Sequence, residues 1–185
     1  MKLNKLASVL LLTMGMATTA AHAANEGNGK ITFYGSIIDA ACSIYPGDDD
    51  QRIPLGQVAA QALENEGTST PVQFSIRLDN CAVSEEGTKA PDVRAASANA
   101  VSVTFTGSSD AANNDLLGIV GTASGAGVVI TDLANTPIAL GTPSSLFTLN
   151  EGLNSLDFAA HLKGNGETIV TGEFESVANF ALAYQ

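Results

Sequence analysis

The feature that most limits how this chain can fold is an alternation of apolar and polar residues at a period of two. From Val72 to Leu78 the apolar residues occupy every second position, and the alternation returns from Val101 to Phe105. Successive side chains of a strand point to opposite faces of a sheet, so this spacing indicates strands with one buried face and one wet face. The chain is therefore expected to be almost entirely β.

Further strand candidates follow, separated by clusters of Gly, Asn, Asp, Ser and Pro that favour turns. They are residues 127–131, 137–140, 145–149, 156–163 and the long terminal run 168–184. Helix is expected only as a turn or two between Gly56 and Glu66. Short, regularly spaced strands with turn signals, and no repeat or linker, predict a single β-sandwich domain.

The first 23 residues are typical of a secretory signal peptide. A basic start is followed by the apolar run Leu6–Met16 and by an A-x-A cleavage pattern that ends at Ala23. No later segment has the roughly 18 uninterrupted apolar residues that a membrane-spanning helix needs. We therefore expect an exported, soluble protein that is not embedded in a membrane, with about 160 residues left to form one domain.

The charge of the chain argues against two classes of partner. Eight basic and 19 acidic side chains give a formal net charge of −11, and cleavage of the leader would also remove Lys2 and Lys5. So acidic a surface repels phosphate groups, which disfavours binding to nucleic acid or to an anionic membrane.

Two cysteines, Cys42 and Cys81, lie in the exported part of the chain. An oxidising compartment favours a disulfide between them. A free pair or a shared metal stays open in principle, although no histidine cluster is present to complete a metal site. A bridge that closes a loop of about 40 residues is expected to stabilise the fold by about 4 kcal/mol.

The sequence has no arrangement of residues that is typical of an active site. After the leader the remaining histidine is His161, which falls on the polar face of 156–163 and is interpreted as a surface residue. The acidic run Asp48–Asp50 lacks the ligand spacing of a calcium loop and is interpreted as a solvated turn. The glycines between Gly118 and Gly127 form no phosphate-binding motif. We expect no catalytic residue, metal or cofactor, which leaves a binding module or a structural subunit.

The segment just after the leader has a strand pattern whose apolar face needs a partner. One face carries Gly29, Ile31, Phe33, Gly35 and Ile37, and the polar residues between them occupy the other. The pattern by itself favours an ordinary first strand in the chain's own sheet over a strand that is donated to another molecule.

Several short motifs then follow one another in a specific order. They are GSIIDAACSI at 35–44, IPLGQ at 53–57, FSIRLDNC at 74–81, VVITD at 128–132, LGTPS at 140–144, GEF at 172–174 and FALAYQ at 180–185. Each is weak alone, but together they cover the whole chain after the leader. The set resembles the pilin subunits of chaperone–usher fimbriae, as in type 1 and P pili, and above all major rod subunits of the mannose-resistant Proteus-like kind.

The resemblance implies an all-β fold, an incomplete immunoglobulin-like β-sandwich that lacks its last strand and carries an N-terminal donor-strand extension. The implied divisions are a signal peptide at 1–23, the extension at 24–37 and the pilin domain at 38–185. In that family a periplasmic chaperone first fills the open groove, and at the outer-membrane usher the extension of the next subunit replaces it. The expected partners are therefore copies of the chain, other fimbrial subunits, chaperone and usher, and the expected location is a cell-surface fimbrium.

The resemblance also assigns roles to individual residues. The donor face is the set Gly29, Ile31, Phe33, Gly35 and Ile37, in which Gly35 matches a glycine that enters a shallow pocket of the neighbouring groove. The two cysteines match the family's disulfide. The C-terminal strand that lines the groove and pairs with the chaperone is matched by Gly172, Phe174, Phe180, Leu182 and Tyr184, of which the last four share one strand face.

The leading hypothesis is therefore a self-polymerising structural pilin that is not an enzyme. The alternative is a minor adaptor, or an adhesive tip subunit that binds a host receptor. Tip adhesins of this family carry an extra N-terminal receptor domain, whereas here the donor pattern directly follows the leader.

Overall fold

The computed structural model describes residues 29–83 and 98–185. The predicted signal peptide and residues 24–28 of the predicted extension lie outside the described residues. The chain divides into two units after Ser36, and each unit is described by itself.

Strands make up most of the regular structure in residues 37–83 and 98–185. They are β1 (Ser43–Ile44), β2 (Val72–Cys81), β3 (Ala100–Gly107), β4 (Leu117–Gly118), β5 (Val120–Gly121), β6 (Ala126–Thr131), β7 (Phe147–Thr148), β8 (Gly152–Gly164), β9 (Phe174–Glu175) and β10 (Ala178–Tyr184). A single helical turn, α1 (Ala60–Leu63), continues into a 3-10 turn at Glu64–Glu66, as predicted. In the part of the chain that is described, no helix has the length and apolarity needed to span a membrane.

Two antiparallel sheets carry the fold. The larger has the strand order β1-β2-β8-β6-β4, and the smaller has the order β10-β3-β7, while β5 and β9 form a separate short pair. The alternating segments 72–78 and 101–105 lie within β2 and β3, and the further candidates 127–131 and 156–163 lie within β6 and β8. These four strand predictions are confirmed.

Three strand predictions need correction. Residues 137–140 form no strand: after the bridge Thr131↔Pro137 and the bond from Ile138 N–H to Ile130 C=O, the Gly141 N–H donates to Phe105 C=O. The segment therefore crosses from β6 to β3, and Pro137 has no N–H with which to continue a ladder. The prediction at 145–149 shortens to β7, and the terminal run is divided into β9 and β10.

The faces of the two sheets meet in one apolar core, which confirms the β-sandwich. The larger sheet contributes Ile76, Leu78, Ile130, Leu156 and Phe158, and β3 contributes Val101, Val103 and Phe105. The rings of Phe105 and Phe158 meet edge to face with centroids 5.1 Å apart. A second apolar cluster is formed by Leu63 of α1 together with Leu117, Val128 and Leu162.

Candidate functional site

A groove of about 1100 Å³ opens into the sandwich beside the last strand. Its floor is apolar and comes from both sheets: Phe74, Ile76, Phe105, Val128, Ile130 and Leu162. Two stretches of chain line its sides, one around β9 and β10 and the other at residues 51–58. An apolar channel beside an open strand has the shape and chemistry to hold another strand.

The C-terminal side of the groove presents an open sheet edge. β10 pairs with β3 from Ala178↔Gly107 to Tyr184↔Val101 and is the outermost strand of its sheet. Within residues 29–83 and 98–185, the other edge of β10 has no backbone partner. Because an edge strand presents a row of N–H and C=O groups, this side can take up one more strand by backbone pairing.

The opposite side, residues 51–58, has no regular secondary structure and belongs to no sheet in the described chain. Ile53, Leu55 and Val58 are half-buried against the groove, whereas Arg52 and Pro54 are exposed. The Arg52 Nη2 lies 3.7 Å from the Glu175 Oε1, so an exposed ion pair joins the two sides at the groove mouth. The IPLGQ motif of this segment contributed to the family resemblance, but no role was predicted for it from the sequence.

The structure separates the C-terminal residues that the sequence grouped together. Side chains from Phe174 to Tyr184 alternate between half-buried and exposed, with Phe174, Phe180, Leu182 and Tyr184 inward. Gly172, Phe174 and Phe180 line the groove. Leu182 and Tyr184 instead pack against the main core, where the Tyr184 hydroxyl donates to the Cys42 carbonyl at 3.5 Å. Burial raises the pKa of Tyr184, which keeps the hydroxyl protonated as a donor.

Gly172 is required by a close approach of two loops at the groove mouth. A Cβ on this residue would lie 2.4 Å from the Thr122 Oγ1 and 2.7 Å from the Ala123 nitrogen. The neighbouring Glu173 N–H donates to the Thr122 Oγ1, and the Glu173 carbonyl accepts from the N–H groups of Thr122 and Ala123. The lack of a side chain at residue 172 therefore lets this cluster of hydrogen bonds form.

Replacement of Gly172 by alanine is expected to destabilise the domain by about 1–3 kcal/mol, because the methyl group forces the Thr122 loop outward. Chemical denaturation of the chain without its leader, followed by circular dichroism, measures the change. Gly29→Ala is the matched control, since a Cβ on Gly29 meets no atom within 4 Å. Equal stability of the two variants would contradict this packing role.

The predicted donor residues are highly exposed. Ile31, Phe33 and Ile37 have relative exposures of 78%, 91% and 104%, and no ladder includes residues 29–38. A Cβ on Gly35 would meet no atom within 4 Å. The interpretation as an ordinary strand of the chain's own sheet finds no support here. Large apolar side chains left open in a row are typical of an interaction site.

The two cysteines form a disulfide, as predicted, which excludes the free pair and the shared metal. Cys42 and Cys81 are both buried and join the residue before β1 to the end of β2. The closed loop contains the whole 51–58 side of the groove.

The interpretation of Asp48–Asp50 as a solvated turn is wrong for Asp48. Asp49 and Asp50 are exposed, but Asp48 is only 5% exposed and accepts two bonds from the Arg77 guanidinium, at 2.9 and 2.7 Å. The hydrogen bonds from Arg77 hold the pKa of Asp48 below its ordinary value despite the opposing effect of burial. This pair could not be predicted from the sequence, because Asp48 lies in the turn after β1 and Arg77 lies on β2, 29 residues further along the chain.

His161 is also less exposed than predicted. It is half-buried, and within the described chain its buried Nδ1 has no hydrogen-bond partner. Burial, and secondarily the charge of Lys163, lower the pKa of His161. The described residues contain no group of three or more His, Cys, Asp and Glu side chains that could hold a metal ion.

Comparisons with known proteins agree with the groove and with the exposed N-terminal pattern. A family model described as "Fimbrial protein" matches residues 31–185. The chain is 49% identical to the Fimbria A protein of Serratia marcescens and 44% identical to the Major MR/P fimbria protein of Proteus mirabilis (strain HI4320), each over 100% of both chains. A solved chaperone–usher pilus, whose structure reveals the basis of rod uncoiling, contains a chain that matches with a TM-score of 0.72 and 32% identity, over 89% of this chain and 100% of that one. The chain therefore belongs to the fimbrial protein family and is a structural pilus subunit of the chaperone–usher type.

Proposed function

We propose that the groove binds the N-terminal extension, residues 24–37, of a neighbouring copy, so that the subunit polymerises by donor-strand exchange. The observation that carries the proposal is the open edge of β10 beside an apolar groove, in a chain that also has an exposed alternating segment at Gly29–Ile37. Each copy would then accept one strand and donate one. Repetition of a single head-to-tail contact makes a filament.

The dimensions of donor and groove support this pairing. Nine extended residues, from Gly29 to Ile37, span about 30 Å, and the stretch from Phe174 to Tyr184 has a similar length. The donor can therefore pair along the whole open side. The backbone ladder would supply affinity, and the alternate side chains would supply selectivity.

The exposed apolar side chains of the donor provide the driving force. Burial of Ile31, Phe33 and Ile37 would contribute about 1.5–3 kcal/mol each before the cost of ordering the segment. Gly35 would let the donor backbone approach the groove more closely than any other residue allows. The residues that face outward, such as Thr32 and Ser36, would contribute much less.

An open groove is a hazard before polymerisation, because unpaired edges and apolar surfaces promote aggregation. We therefore assign a periplasmic chaperone as the first occupant of the groove, and an outer-membrane usher as the place where the donor strand replaces it. Export of the chain would follow cleavage of residues 1–23, which leaves the extension 24–37 and the pilin domain 38–185.

The proposed role is that of a major rod subunit, structural and not catalytic, in a cell-surface fimbrium. A relative that matches over its full length is named as a major fimbria protein, and the solved match comes from a pilus rod. Neither a minor adaptor nor a tip subunit has a comparable observation in its favour.

A photo-cross-link tests the proposal directly. With benzoylphenylalanine in place of Phe33, illumination of assembled filaments is expected to give a covalent ladder of multimers, with cross-links to groove residues of a second copy, such as Phe105 or Ile130. The same probe in place of Tyr34, on the outward face, is the matched control and should yield far less ladder. Cross-links from residue 33 that stay within one chain would contradict donor-strand exchange.

A further inference from the structure

The turn between β1 and the groove is attached to β2 by side chains instead of by a backbone ladder. β1 pairs with β2 at Ser43↔Asp79 and Ile44↔Leu78, and the Tyr45 N–H still donates to the Arg77 carbonyl at 2.9 Å. The backbone pairing then stops. The Tyr45 carbonyl, which would accept from Arg77 N–H in a continued ladder, accepts from the Asp48 N–H and closes the turn.

Two side chains replace the missing backbone partners at the edge of β2. The Arg77 N–H donates to the Asp48 Oδ2 at 2.8 Å, and the Gln51 Nε2 donates to the Ser75 carbonyl at 2.8 Å. In a longer β1, these groups of Arg77 and Ser75 would have paired with the backbone of Tyr45 and Gly47. Two of the edge groups of β2 are thereby paired where the chain leaves this sheet.

Several interactions stabilise the contact between Asp48 and Arg77. The Arg77 Nε and Nη2 donate to the two carboxylate oxygens, and the guanidinium lies over the Tyr45 ring, 4.1 Å from its centroid. Asp48 is buried, so removal of its charge would leave the guanidinium without its partner and the Arg77 N–H with a weaker acceptor. Such pairs resist movement more than exposed ones do.

The segment that follows this attachment, residues 52–58, forms the side of the groove that has no backbone pairing. Residues 52–58 have no ladder of their own among the described residues, so side-chain contacts hold them in place. Gln51 fixes one end to β2, and Leu55, Val58 and the buried Leu63 of α1 pack against the second core cluster. Ile53 lies between these two attachments, so a shift at Gln51 would displace Ile53 in the groove.

We infer that Asp48, Arg77 and Gln51 form an anchor that positions the 51–58 side of the groove for the incoming strand. Asp48 and Gln51 border the groove, whereas Arg77 does not line it. The anchor acts by holding residues 52–58 in place for the strand, so these are positioning residues. The inference rests on the proposed strand-accepting function.

The test measures binding of a fluorescein-labelled peptide of residues 24–37 to the full chain without its leader, by anisotropy, beside thermal unfolding of the same chain without peptide. Asp48→Asn is expected to weaken peptide binding about tenfold. Asp50→Asn, which makes the same change in the same turn at an exposed residue, should stay within about twofold of the unsubstituted chain.

A milder substitution with its own control keeps the inference testable if Asp48→Asn fails to fold. Gln51→Ala removes the hydrogen bonds from Nε2 to the Ser75 and Asp48 carbonyls and leaves the ion pair intact, and it should weaken peptide binding about threefold to fivefold. Gln57→Ala, at an exposed residue of the same segment, is its control. Faster amide exchange in residues 52–58 of the Gln51 variant, with slow exchange retained in β2, would support a positioning role.

The outcomes separate the two proposals. If the unsubstituted chain does not bind the peptide, the proposed function fails and the anchor with it. If the unsubstituted chain binds but Gln51→Ala and every folded Asp48 variant bind with unchanged affinity, even with a lower unfolding temperature, the residues are merely structural and the inference is overturned.

Discussion

Filaments are expected to disappear from the cell surface when residues 24–37 are deleted from this chain. The truncated subunit keeps its groove and can accept a strand, but it has none to donate, so no copy can join the one before it. The apolar residues lost, Ile31, Phe33 and Ile37, are those left exposed in the isolated chain. Electron microscopy of surface filaments, with immunoblots of sheared and cell-associated fractions, measures the effect.

The control for this deletion keeps the extension and changes only its outward face. Thr32→Ala combined with Ser36→Ala should leave filament number and length close to normal, because neither side chain lies on the donor face. The truncated chain should still be found inside the cell envelope as a folded monomer. Filaments of normal length built from the truncated chain would show that residues 24–37 are not the donor.

Loss of the disulfide is expected to cost about 4 kcal/mol, since the bridge between Cys42 and Cys81 restricts a loop of about 40 residues in the unfolded chain. For a domain with an open groove, this is a large share of the typical 5–15 kcal/mol of total stability. The double variant Cys42→Ser with Cys81→Ser should therefore unfold at a much lower denaturant concentration. It should also accumulate poorly, because the loop that the bridge closes contains the 51–58 side of the groove.

Reductant supplies an independent check on this stability prediction. Reduced, unsubstituted chain should unfold at nearly the same denaturant concentration as the double variant, and reductant should not affect the variant. Ser43→Ala, at the exposed residue next to the bridge, is the control substitution and should change stability little. Labelling of both cysteines by a thiol reagent in untreated native protein would contradict the bridge.

Much of the sheet structure could be predicted from sequence because the period of two depends only on the chain itself. The alternation in β2 and β3 is visible in the sequence itself, and the same parity placed Phe174, Phe180, Leu182 and Tyr184 inward, whereas β6 is buried along its whole length. The alternation predicts on which face of the sheet a side chain lies, but not which residues it contacts. It could not show that Phe180, which packs against the core, also borders the groove, whereas Leu182 packs against the core without lining the groove.

The errors share one cause, which is dependence on partners far away in sequence. Residues 137–140 are an apolar stretch between turn signals and were predicted as a strand, yet hydrogen bonds to Ile130 and Phe105 lead them from one sheet to the other. Asp48 sits in a run of aspartates that resembles a solvated turn, yet Arg77 draws it into the protein. Local composition contains no information about such partners.

The sequence by itself determined the all-β class, the inward face of the last strand, the exposed donor pattern and the family resemblance, because each is encoded in the order and spacing of neighbouring residues. Only the tertiary structure decided that the edge of β10 is open, that Gly172 allows two loops to meet, and that Asp48, Arg77 and Gln51 hold the far side of the groove. These features arise where distant segments meet, and the free energy of such contacts depends on distances and burial that exist only in the folded chain.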